Sequence, residues 1–81
     1  MSKTYNGHKN RAHWNVSLWI GNDESLYAMA NREIQRGIIR RLTRAEIAAN
    51  ILDQLRQAGI ESTPDGYRYN VTNIRAAIVG M

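Results

Sequence analysis

The stretch Thr43-Arg44-Ala45-Glu46-Ile47-Ala48-Ala49-Asn50-Ile51-Leu52-Asp53-Gln54-Leu55-Arg56-Gln57-Ala58-Gly59-Ile60 decides the fold class. Thr43 followed three residues later by Glu46 is a capping box: hydroxyl and carboxylate each satisfy a backbone N–H that the first helical turn leaves open. Ile47, Ala48, Ile51, Leu52 and Leu55 then fall on one face of a helix. Gly59 stands where a left-handed residue ends such a helix, and Ile60 supplies the apolar contact of that motif. The segment has a start, a seam and a stop, and its seam needs further elements to cover it.

Upstream, Asn22 followed by Asp23-Glu24 marks another helix start, a capping amide with acids at the positive helix end. Leu26, Ala30, Ile34 and Ile38 recur every four residues and predict a buried stripe, with Tyr27 and Leu42 beside it. Arg32, Arg36 and Arg40 share the opposite side. Gly37 costs about 1 kcal/mol inside a helix, yet the stripe runs through it in phase, so one helix to about Arg41 is expected. Before it, Asn10 caps a first helix over residues 11–20, apolar on more than one side through Ala12, Trp14, Val16, Leu18, Trp19 and Ile20, and closed by Gly21. Residues 1–10 read as an arm with a turn at Tyr5-Asn6-Gly7.

Downstream, Ile60-Glu61-Ser62-Thr63 and Tyr67-Arg68-Tyr69-Asn70-Val71 alternate on either side of Pro64-Asp65-Gly66 and predict a small β-hairpin. Residues 72–79 close as a short helix with Ile74, Ala77 and Ile78 apolar. The expected fold is therefore mainly α: three to four short helices around one core, with a hairpin near residues 60–71, in a single domain over 1–81.

The chain has 81 residues, 43% of them apolar and 22% charged, a globular composition for one small domain. With no cysteine, disulfides, thiolate metal sites and cysteine nucleophiles are excluded. The net charge of +4 is concentrated: residues 32–44 carry Arg32, Arg36, Arg40, Arg41 and Arg44 against Glu33, whereas the flanking segments nearly balance. Local charge of this kind bears on partners rather than on fold. The polar N-terminus lacks the apolar stretch of a signal peptide, and no run approaches the roughly 20 apolar residues of a membrane span, so no membrane role and a cytoplasmic location are expected.

Tyr5-Asn6-Gly7, Asn10, Trp14-Asn15-Val16, Leu18-Trp19-Ile20, Asn22-Asp23-Glu24 and Leu26-Tyr27 form an ordered string of aromatics and amides. It resembles the N-terminal segment of a family of small uncharacterised proteins from phages and related mobile elements, in which Thr-Trp-Asn-Val and Leu-Trp precede Asn-(Asp/Glu)-Glu-x-Leu-Tyr. The match covers residues 5–27, and His13 replaces the usual Thr. The resemblance implies a phage-type origin and a mostly helical fold. It implies no enzyme activity.

Chemistry-bearing residues are sparse. His8 and His13, five apart without cysteine, do not make a zinc ligand set. Ser17, Ser25 and Ser62 lie in no nucleophile elbow, and there is no Gly-rich phosphate loop. Neither catalysis nor a cofactor is expected. The asparagines Asn6, Asn10, Asn15 and Asn22 suit turns and caps, and the tryptophans suit a small core. Arg32, Arg36, Arg40, Arg41 and Arg44 have three readings: a solvated face, a grip on an acidic protein groove, or a track for successive phosphates. Tyr5 and the other aromatics would add anchors to such a surface. The function expected is a small non-catalytic phage-type accessory protein that binds and inhibits a host protein complex, in the manner of an anti-defence or anti-CRISPR-like inhibitor. A nucleic-acid-binding regulator using the arginine-rich helix is the alternative.

Overall fold

A computed structural model describes residues 11–79, which form four α-helices: α1 (Arg11–Asn22), α2 (Glu24–Ile39), α3 (Arg44–Gln57) and α4 (Val71–Val79). The expected arm, the turn at Tyr5-Asn6-Gly7 and the cap at Asn10 lie outside the described residues. α4 packs against both α1 and α3, while α2 packs against the same two helices from elsewhere. Val16 and Ile20 of α1, Ala30 of α2, Ile47, Ala48, Ile51 and Leu55 of α3, and Ile74, Ala77 and Ile78 of α4 make the core with Tyr69. The mainly helical expectation holds, with α1 covered on several sides: Asn15, Val16 and Ile20 are buried, and Trp14, Leu18 and Trp19 half-buried.

The corner between α1 and α2 is one residue. Asp23 N–H donates to the Trp19 carbonyl at 3.0 Å, its own carbonyl accepts from Tyr27 N–H, and its side chain accepts from Leu26 N–H at 3.0 Å. The cap is thus Asp23 rather than Asn22, and Gly21 and Asn22 remain helical. An ionised carboxylate is the stronger acceptor at the positive end of a helix, which accounts for the shift by one position.

Thr43 and Glu46 form the expected capping box, with Glu46 N–H donating to Thr43 Oγ1 at 3.1 Å and Thr43 N–H to Glu46 Oε1 at 2.8 Å. Gly59, at φ 78°, ends α3 as expected, and Ile60 N–H donates back to the Leu55 carbonyl. α2 ends in the same pattern: Leu42 N–H donates to the Gly37 carbonyl at 2.9 Å and Arg41 N–H to the Ile38 carbonyl at 3.1 Å. Its left-handed position is held by Arg41, at φ 58°. That conformation stops α2 at Ile39, two residues short of the expected end.

Two further expectations are corrected. Residues 60–70 are not a hairpin but a loop with a single bridge, Ser62 to Arg68. Thr63 is buried and holds the turn: its N–H donates to the Tyr67 carbonyl and its hydroxyl oxygen accepts from Tyr67 N–H. Tyr69 turns into the core and Asn70 caps α4 by accepting from Asn73 N–H at 2.8 Å, so the second arm ends before a ladder can form. Ile38 is not part of a buried stripe but is 62% exposed. The buried face of α2 is Ala30, Glu33 and Gly37, because α3 packs against Gly37, where Ile47 fills the space a side chain would take.

Candidate interaction surface

Arg32 and Arg36 lie about 40° apart on one flank of α2 at roughly 100° per residue. Arg40 caps the helix, Arg41 leaves it in the left-handed conformation, and Arg44 opens α3. All five are exposed. They form a short flank and a corner rather than the single stripe the four-residue spacing suggests. Tyr5, the sixth residue expected here, lies outside the described residues.

Only Arg36 among the five stands within ion-pair reach of an acid of the described residues: its Nη1 is 3.8 Å from Oε2 of Glu33. Glu33 is 4% exposed and also accepts from Gln54 Nε2 at 3.3 Å. A polar cleft of about 180 Å³ between α2 and α3 is lined by these residues with Arg40, Asn50 and Asp53. Arg32, Arg40, Arg41 and Arg44 are exposed and make no ion pair with an acid of the described residues.

The corner also carries two residues that the four-residue spacing does not assign to it. Ile38 and Ile39 are 62% and 81% exposed at the last turn of α2. Ile39 falls about 20° from Arg32 and about 60° from Arg36 on the helix. The sequence signal for them is the run Gly37-Ile38-Ile39-Arg40-Arg41, since adjacent isoleucines cannot share one helical face.

Arg41 bears a backbone cost of about 1–2 kcal/mol for a left-handed residue with a Cβ. Arg41→Gly removes it, partly offset by the greater freedom of glycine in the unfolded chain. The expected result is a gain of about 0.5–1 kcal/mol, read as a higher urea midpoint.

A second polar constellation joins the loop to α1. Asp65 Oδ2 accepts from Asn15 Nδ2 at 2.7 Å and from Trp19 Nε1 at 3.0 Å. Asn15 is 3% exposed, in mid-helix, and so neither a cap nor a turn as its residue type suggested; its Oδ1 has no partner. Asn15 and Asp65, with Arg11, Trp14 and Tyr67, border an open cavity of about 440 Å³. The hydrogen bonds from Asn15 and then Trp19 hold the Asp65 carboxyl below its ordinary pKa. A lowered carboxyl pKa contributes stability that is fully present above about 4 and is lost as the pH falls through the folded-state value. The urea midpoint should therefore fall on acidification in that window. Asp65→Asn, which keeps an acceptor but no charge, should flatten the acid limb while lowering the neutral-pH midpoint.

On the core side, burial first and then the nearby Asp23 carboxylate push the Tyr69 hydroxyl above its ordinary pKa. Among the described residues no three His, Asp or Glu side chains gather as a metal site, and no helix is long and apolar enough to cross a membrane.

Over residues 1–81 the chain matches DUF7249, a family of unknown function, and it belongs to that family. No curated protein and no solved structure matches it.

Proposed function

We propose that this protein is a small non-catalytic accessory protein of phage type that binds and inhibits a host protein complex through the α2–α3 corner. The observation that carries the reading is four guanidinium groups, Arg32, Arg40, Arg41 and Arg44, presented to solvent without an acid of the described residues to neutralise them. Arginine suits this use because its planar fork pairs bidentately with carboxylates and loses little hydration on doing so. Arg41 supports the reading further. At the equivalent position of α3 the chain uses Gly59, whereas here it keeps a strained cation at the apex of the corner.

The same cations would suit phosphates, and the N-terminus of α3 beside Arg44 is where an anion would dock. That terminus is already capped by the Thr43 hydroxyl and the Glu46 carboxylate, which places a negative charge where a phosphate would sit. The cap bears on any anion alike; what favours a protein partner is exposed Ile38 and Ile39 beside these cations, for which a phosphate backbone offers no apolar surface.

The test is capture from nuclease-treated host lysate with mass spectrometry, comparing the wild type with Arg32→Glu/Arg40→Glu, which leaves the Arg36–Glu33 pair in place. The charge-reversed protein should lose the partner complex while its far-UV circular dichroism stays the same. Unchanged capture would remove the proposal. Binding to duplex that weakens steeply between about 50 and 200 mM salt would replace it with the nucleic-acid reading.

A further inference from the structure

We infer that the α2–α3 corner recognises an acidic protein segment with an apolar centre, an amphipathic helix edged with carboxylates, and that Ile38 and Ile39 rather than the arginines supply most of the contact energy. The inference rests on the reading of this corner as a binding surface and names the chemistry of its partner. Ile38 and Ile39 present two large apolar side chains within one helical turn, bracketed in sequence by Arg36, Arg40 and Arg41. Ile39 lies on the Arg32–Arg36 flank and Ile38 about 100° round the helix from it, so the apolar centre is the exposed tip of α2 rather than a line along its side. A cluster of apolar side chains with a polar rim is the anatomy of a protein interface.

Charge selects among the occupants. A second copy of this chain would set five arginines against five across a self-complementary contact, and like charges at such range are disfavoured. A duplex backbone would satisfy the arginines but would leave both isoleucines against phosphates, with no apolar surface to bury. An acidic helix with a leucine seam meets both demands: carboxylates for the arginines and apolar contact for the two isoleucines.

The experiment uses two synthetic helical peptides, one with a leucine seam flanked by glutamates and one with serine replacing each leucine. Fluorescence anisotropy measures both, together with a short DNA duplex, against the wild type, Ile38→Ser/Ile39→Ser, Ile39→Ser alone and Arg32→Glu/Arg40→Glu. Ile39 is so exposed that its replacement leaves the fold intact, which guards against a misfolded double variant. The leucine peptide should bind the wild type at least about tenfold more tightly than the serine peptide, and the double isoleucine variant should lose about tenfold or more. Equal binding of the two peptides, or isoleucine variants that bind like the wild type while the charge-reversed protein does not, would overturn the inference and leave the basic-surface reading standing. Undiminished peptide binding by the charge-reversed protein would overturn that reading itself. Tighter binding to the duplex than to the leucine peptide, or self-association in sedimentation that Ile39→Ser abolishes, would also overturn the inference.

Discussion

Ile51→Ala lowers the stability of the protein by about 2–5 kcal/mol, the range for truncating a fully buried aliphatic side chain where the surroundings cannot collapse. Ile51 has no exposed surface and sits in the middle of the α3 seam, against which α4 packs. An 81-residue domain commands only about 4–12 kcal/mol in all. The substitution therefore consumes a large part of the margin and leaves a measurable unfolded population at moderate temperature. Urea denaturation followed by circular dichroism measures it, with Leu52→Ala as the control. Leu52 is one position along and only half-buried, so its truncation should cost distinctly less. Equal effects of the two would mean that α3 does not present the face described.

Gly37→Ala should destabilise by up to about 2 kcal/mol even though alanine is the better helix former. Two effects oppose each other. Alanine recovers about 1 kcal/mol of intrinsic helix propensity. Its Cβ, however, would overlap Cγ1 of Ile47 and stand 2.6 Å from Cδ1. Ile47 is buried and β-branched, so it cannot swing away, and overpacking of this kind costs about 1–3 kcal/mol. Packing wins in the wild-type background. In an Ile47→Ala background both obstructing atoms are gone, and the same Gly37→Ala change should stabilise by about 1 kcal/mol. The reversal of sign, read from a double-mutant cycle of urea midpoints, is the sharp part of the prediction. Destabilisation of the same size in both backgrounds would show that the helix crossing does not depend on Ile47.

Much of this architecture is legible because its signals are local. The capping box at Thr43 and Glu46 and the left-handed Gly59 delimit α3 almost to the residue, since each depends on side chains within one turn. Local signals fail where two residues compete or where distant contacts decide. Asn22 and Asp23 are both good caps, and charge selects the second. Alternation around Pro64-Asp65-Gly66 is real, with Thr63 and Tyr69 turned inward, but Asn70 starts a helix before a second strand can extend. Ile38 fits a four-residue stripe, yet the contact face of α2 is turned away from it by the close approach at Gly37. Nothing local links Asn15 and Trp19 to Asp65, because their hydrogen bonds join residues about fifty positions apart. As for the candidate surface, the arginines were visible in the charge run. Its apolar centre emerged only once the helix crossing had settled which isoleucines stay outside.

The position of α4 has a bearing on synthesis. This helix fills the space between α1 and α3, and it is the last of the four to leave the ribosome. Until it docks, Val16, Ile20, Ile51 and Leu55 have no helix to lay across them, so a chain that has formed only its first three helices presents an adhesive apolar face.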